Sequence, residues 1–193
     1  MIRHSQRLAD SSTIVAIRDV LAAYGAMPAA PDEVPLAQAL AARRMKGPVA
    51  SPEAMEAVRR RSGVGVLVAR EGGEIAGVMG FVLLSPIGRA SVIADRFDAL
   101  DPEAADVCSR RDEPAAIYGW GIATISHTAT KTLVEAACAM GRQVTPHLRW
   151  YMRVVTADGE RLIMKRQGWR RVPRSRPGLI WQPSLLEREA AAA

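Results

Sequence analysis

The chain has 193 residues, 49% of them hydrophobic, and a formal net charge of +6. That length and apolar content describe one folded domain with a sizeable core and exclude a disordered chain. No apolar run reaches the roughly 18–20 residues needed to span a bilayer, and Met1-Ile2-Arg3-His4 leads into polar sequence without an apolar signal core. The expectation is a cytoplasmic protein that does not enter a membrane.

Two cysteines, Cys108 and Cys138, cannot build a disulfide framework or a Cys-rich metal site, and read as reduced thiols. The lysines are Lys46, Lys131 and Lys165, so arginine carries most of the positive charge. Arginine suits planar contacts to phosphate or carboxylate. The excess therefore fits nucleic acid, an acidic partner or a phosphorylated cofactor, and equally a compositional bias toward alanine and arginine.

In chain order, Ser11 or Ser12 caps a helix to about Tyr24, ended by Gly25, with Ile14, Ile17, Val20 and Leu21 on one face. Ala26 to Pro35 reads as a loop and Leu36 to Lys46 as a second helix stopped by Gly47-Pro48. Ser51-Pro52-Glu53 opens a third helix, serine as cap and proline in the first turn. Gly63 to Arg70 and Ile75 to Ser85 are β-rich around the turn Glu71-Gly72-Gly73-Glu74, which predicts a hairpin. Pro86 to Ala115 reads as irregular and acidic. Ala116 to Thr124 is a strand carrying Gly119 and Gly121. Lys131 to Met140 is a helix ended by Gly141, Leu148 to Val155 a strand, and Asp158 to Gln167 a helix. Val172 and then Leu179 to Trp181 predict two closing strands. Residues 1–186 read as a single domain and 187–193 as a frayed tail.

Strand, helix and strand from Ala116 to Val155 imply a right-handed parallel crossover, while the hairpin implies antiparallel pairing. An α/β fold with a mixed sheet and helices on both faces satisfies both.

Several other chemistries lack their residues. His4, His127 and His147 are scattered without metal-ligand spacing, so no metal is expected. No Gly-x-Ser-x-Gly elbow or P-loop occurs. Ala137 and Gly141 have helix-turn-helix spacing, but Pro146 falls inside the second helix, where it costs about 3 kcal/mol. The basic stretch Arg161, Lys165, Arg166, Arg170, Arg171, Arg174 and Arg176 reads either as a phosphate or nucleic-acid surface or as a solvated helix face followed by a charge-guarded edge strand.

The order of elements from Val64 to Gln182 resembles the GNAT superfamily of N-acyltransferases. Arg161-Leu-Ile-Met-Lys-Arg-Gln-Gly-Trp169 is similar to the family's late helix, which commonly ends in a leucine-tyrosine pair followed by glycine and an aromatic. The resemblance implies a single-domain, mixed but mostly antiparallel twisted sheet flanked by helices on both faces. It implies acyl transfer from acyl-CoA, acetyl-CoA among them, or from an acyl carrier thioester, to an amine on a small molecule or peptide. It also implies a homodimer.

In that family the pantetheine arm of acyl-CoA lies against a splayed, bulged strand. Ala116 to Thr124 is the candidate, with Gly121, Ile122, Ala123 and Thr124 as cofactor-binding positions. Glycine within a strand often marks a bulge or a close backbone approach, and it equally makes room for Trp120 or a helix. The family's glycine-rich loop, Gln/Arg-x-x-Gly-x-Gly/Ala, is absent; Ile125-Ser-His-Thr-Ala-Thr-Lys131 stands in its place. Ser126, Thr128, Thr130 and Lys131 supply hydroxyls, a charge and a helix start for phosphate, though serine and threonine also cap helices without a ligand. The family's late-helix tyrosine, which protonates the leaving thiolate, is Met164 here. Tyr118 and His127 are the catalytic candidates, with Tyr151 nearby. Asp95, Asp98, Asp101, Glu103, Asp106, Asp112 and Glu113 are the carboxylates to which an amine could lose its proton. Loss of the glycine loop and of the tyrosine also fits a non-catalytic binding or interaction protein on the same fold. A basic nucleic-acid-binding protein is the third reading.

Overall fold

The computed structural model describes residues 10–154, 169–173, 175 and 178–191. The helix expected over 158–167, with Met164, lies outside them.

Helix α1 spans Ser12–Ala23; the Ser11 hydroxyl caps it by accepting from the Ile14 amide. A two-residue strand β1, Met27–Pro28, crosses what the sequence suggests is a loop, because it borrows the edge of the hairpin. Helices α2, Val34–Arg44, and α3, Pro52–Ser62, follow, the latter capped by Ser51 with proline in its first turn. Strands β2, Val66–Glu71, and β3, Glu74–Leu84, form the hairpin.

Pro86–Ile93 is helix α4, where the sequence reading expected irregular chain. Ser85 caps it and Pro86 opens it, the same device that starts α3. Strand β4 spans Ala116–Thr124 and helix α5 spans His127–Gln143, four residues earlier at its start than periodicity suggests. Strands β5, Trp150–Arg153, β6, Arg170–Arg171, and β7, Leu179–Gln182, complete the sheet. The stretch from Leu185, with its last residues expected to fray, forms helix α6, Leu185–Ala190, held by a capping box of Ser184 and Glu187.

Among the described residues the sheet has seven strands in the order β1-β2-β3-β4-β5-β7-β6. Only β4 and β5 pair in parallel; the other neighbours are antiparallel. Side chains alternate across the strands. Leu67, Met79, Phe81, Leu83 and Ile117 face α1 and α5, where Ile14, Ile17, Leu21, Leu133 and Met140 are buried. Val66, Val68 and Val78 face α2 and α3. Farther along the same face, Val82, Leu84 and Tyr118 meet Val58, Val92 and Phe97. No helix among the described residues is long and apolar enough to cross a membrane.

Candidate functional site

Strand β4 has two different halves. Ile117, Tyr118 and Gly119 pair with Trp150, Tyr151 and Met152 on β5. Beyond Gly119 that pairing stops, and among the described residues the only strand beside β4 is β3. The pairing with β5 therefore ends at Gly119, one residue short of that strand's last residue, Arg153.

A bulge lies at the same place. Phe81 pairs with Gly119 and Gly80 with Gly121, so Trp120 is the extra residue. The Trp120 ring fits because position 80 is glycine: a Cβ there would lie 3.0 Å from the Trp120 side chain. The Trp120 indole N–H donates to the Ala99 carbonyl at 2.6 Å. The extra residue reverses the in-out alternation of β4. Tyr118 thus shares a face with Gly121 and Ala123, while Ile122 is exposed away from it.

That shared face borders a cavity of about 340 Å³. Its floor is β2, β3 and β4 at Val66, Val78, Tyr118, Gly121 and Ala123. Its roof is α2, α3 and the link between them, with Met45, Val49, Ala50 and Met55. Phe97 to Leu100 close one side and Arg153, the last residue of β5, closes the end. Gly121 has φ +143°, and a Cβ on it would come within 2.7 Å of the Met45 methyl group, so backbone conformation and space both call for glycine. Gly119 has neither constraint: its nearest neighbour would be the Met152 methyl at 3.5 Å.

The polar end is built from three segments. Arg153 pairs with Asp95 at 2.5 Å. Asp95 has a positive φ of 54°, a conformation that costs a non-glycine residue free energy and persists where the surroundings fix it. Tyr118 is buried, its ring 4.9 Å from Phe97. Burial pushes the Tyr118 phenol up, against the pull of the Arg153 guanidinium and backbone amide at its oxygen, so it stays protonated at neutral pH. Asp98 lies exposed at the rim and accepts from the Leu100 amide at 2.8 Å.

The other candidates lie beyond the end of β4. The Ser126 hydroxyl caps α5 by accepting from the Ala129 amide at 3.0 Å and donates to the Glu71 carboxylate at 2.5 Å. The Thr124 and Thr130 hydroxyls bond one another at 2.6 Å. His127, Thr128 and Lys131 are exposed on the first turns of α5, Lys131 lying 4.0 Å from Glu135. Tyr118 and His127 are separated by the length of β4 from residue 118 to 124, about 20 Å at 3.3 Å per residue, so they do not meet at one reacting atom. Arg44 reaches the same end and donates to the Thr124 carbonyl at 3.1 Å.

The sequence reading did not single out the cavity roof, since Met45, Val49, Ala50 and Met55 are ordinary apolar residues of helices and a loop. Arg153 carried no local signal; its partner Asp95 is distant in sequence. Of the acidic residues, Asp106 is buried and accepts from the Ser91 hydroxyl at 2.9 Å, a structural role. Tyr151 is buried on β5. In the basic stretch, Arg170 lies 5.9 Å from the Trp181 ring centroid, with Arg149 at 4.9 Å; the residues of that stretch at 161, 165, 166, 174 and 176 are outside the described set. Among the described residues no three His, Cys, Asp or Glu side chains cluster as a metal site.

No family model matches the chain, and no curated protein matches it in sequence. Among solved structures it is similar to GphF, a GNAT-like decarboxylase in complex with isobutyryl-CoA. The TM-score is 0.50 at 18% identity, over 72% of this chain and 70% of that one. A histone acetyltransferase HPA2 and related acetyltransferase from Corynebacterium glutamicum ATCC 13032 aligns with TM-score 0.45 at 16% identity, over 83% and 96% of the two chains. At these identities the likeness to GphF is one of fold: the same mixed sheet with helices on both faces.

Proposed function

Since this chain has the GNAT fold, we propose that it is an acyltransferase, moving an acyl group from acyl-CoA, or from an acyl carrier thioester, to the amine of a small molecule or peptide. The observation that carries this reading is the apolar cavity beside the bulge of β4, where the pairing with β5 ends at Gly119. A thioester laid along β4 past Gly119 meets strand backbone on one side and the cavity on the other. GphF is a GNAT-fold protein seen with an acyl-CoA bound, which supports a thioester ligand here.

The chemistry follows from the groups beside Gly119. The amine nitrogen attacks the thioester carbonyl; a C–N bond forms and the C–S bond breaks. Strand amides near Trp120 and Gly121 stabilise the negative charge on the carbonyl oxygen, fixed before the reaction begins. Tyr118 is the donor to the leaving sulfur. Arg153 only donates hydrogen bonds, so toward it the phenol oxygen is an acceptor, leaving the O–H free to turn to the thiolate. Asp98, at the rim, is placed to take the proton the amine loses. Thr128 and Lys131, exposed at the start of α5, serve the phosphates, with Ser126 and Thr130 setting the helix end. His127 belongs to that phosphate end rather than to the thioester.

One observation favours a second reading, a non-catalytic GNAT-fold binding protein. The Glu71 carboxylate sits against Ser126 at the head of α5, where it opposes an incoming phosphate. Calorimetry with CoA and acetyl-CoA, followed by an assay of thiol release with a panel of amines, separates the two. The acyltransferase reading expects thioester binding, amine-dependent thiol release, and a roughly hundredfold fall in kcat for Tyr118→Phe with KM little changed. Binding without release for any amine supports the second reading. No binding to any thioester removes the acyltransferase reading and leaves the second.

A further inference from the structure

The cavity has a composition that selects among acyl groups, and the following inference rests on the acyltransferase reading above. We propose that the site takes an uncharged aliphatic acyl chain of about four to eight carbons, seated over β2–β4 and under α2 and α3, rather than acetyl.

Size is the first argument. At about 30 Å³ for each water-sized group, a cavity of about 340 Å³ holds roughly ten non-hydrogen atoms. An acetyl group would leave most of it empty, and its walls would lose the contacts that close packing supplies. The second argument is polarity. The deep part is walled by Met45, Ala50, Met55, Val66, Val78 and Ala123, none with a polar side chain. A protonated amine or a carboxylate placed there would lose its hydration without a partner, so the acceptor does not occupy it. An aliphatic chain loses nothing there.

The third argument is charge at the polar end. The Arg153 guanidinium already holds Asp95 at 2.5 Å, and Asp98 stands at the rim. With Asp95 and Asp98 against Arg153, this end already has one more carboxylate than cation, and a third, from an acid-terminated acyl group, would be repelled. The fourth is position. On the acyltransferase reading the thioester carbonyl lies along β4 past Gly119, where the pairing with β5 ends, and the cavity opens from the same residues, Tyr118 to Gly121. Phe97 to Leu100, tied down by Arg153 to Asp95 and by Trp120 to Ala99, hold the side wall in place.

The test is calorimetric titration of the full chain with CoA, acetyl-CoA, hexanoyl-CoA and adipoyl-CoA. The expected result is hexanoyl-CoA bound at least tenfold more tightly than acetyl-CoA and than adipoyl-CoA. In Ala50→Phe, which fills the cavity from its roof, the ratio of hexanoyl to acetyl affinity should fall toward one; Val49→Phe serves if the first variant does not fold. Equal affinity for acetyl- and hexanoyl-CoA, with binding of CoA itself intact, overturns this inference and leaves the acyltransferase reading standing. So does adipoyl-CoA binding as tightly as hexanoyl-CoA. Failure of CoA and of every thioester to bind removes the underlying reading instead.

Discussion

The two faces of the sheet are built to opposite ends. On one, α1 and α5 press Ile14, Ile17, Leu21, Leu133 and Met140 onto Leu67, Met79 and Phe81, all at most 4% exposed. On the other, α2 and α3 stand over Val66 and Val78 and leave a cavity of about 340 Å³. Glycine marks the contrast. At Gly77 an added Cβ would lie 3.0 Å from Leu133 and 3.1 Å from Ala129, so glycine there lets helix and sheet close up. At Gly121 the positive φ holds a bent strand open beside the cavity. One face supplies cohesion, and the other forgoes contacts to keep a space that a ligand would fill.

Truncation on each face probes that difference, and the largest effect belongs to the packed one. Leu133→Ala should cost about 2–5 kcal/mol in urea denaturation, since both the transfer and cavity terms are lost. Met55→Ala, bordering existing space, should cost at least about 1 kcal/mol less, because its removal enlarges a void rather than creating one. Equal losses at the two sites would mean that the space is closed in solution. Next comes Gly121→Ala, expected to cost about 1–3 kcal/mol for the strained φ. The same substitution at Gly119, with ordinary contacts, should stay near the cost of a neutral change in the same denaturation series.

A smaller effect lies beyond both faces, where α6 docks on the sheet's far edge. Glu187 is held down at about 2 by its hydrogen bonds from Arg149, then by the Ser184 amide. A depressed carboxylate contributes stability that is present above its unfolded value, near 4.5, and lost as pH falls through its folded one. The pair is partly exposed, so its worth is about 1 kcal/mol after screening. Wild type should lose that increment between about pH 4.5 and 2, and Glu187→Gln should flatten this part of the acid denaturation profile. The least disruptive probe is alkylation. Cys138 is exposed, whereas Cys108 is buried with its thiol pushed up to about 11 by burial. Iodoacetamide should modify Cys138 alone in the folded protein, read by peptide mass.

Much of the frame was legible because its signals are local. Ser11 and Ser51 fixed helix starts, and the Gly72-Gly73 turn fixed the hairpin. Ser85-Pro86 carries the same start signal as Ser51-Pro52, yet the acidic residues after it hid an eight-residue helix. The site was less legible. Gly121 and Ala123 were singled out with Ile122 and Thr124, but only the first two border the cavity. The reason is the bulge at Trp120, which reverses alternation and depends on register with β3, a relation between strands that spacing along one strand does not encode. The Arg153–Asp95 pair bridges 58 positions and has no local signature.

The proposed chemistry depends on where a thioester sits. The most direct measurement is a crystal structure of the protein with a non-hydrolysable ketone analogue of hexanoyl-CoA, in which a methylene replaces the thioester sulfur and the acyl carbonyl is kept. The acyl carbonyl is expected beside β4, within hydrogen-bond distance of backbone at Gly119 to Gly121, with the chain running under Ala50 and Met55. A carbonyl bound elsewhere, or a chain directed to solvent with the cavity empty, would contradict that placement.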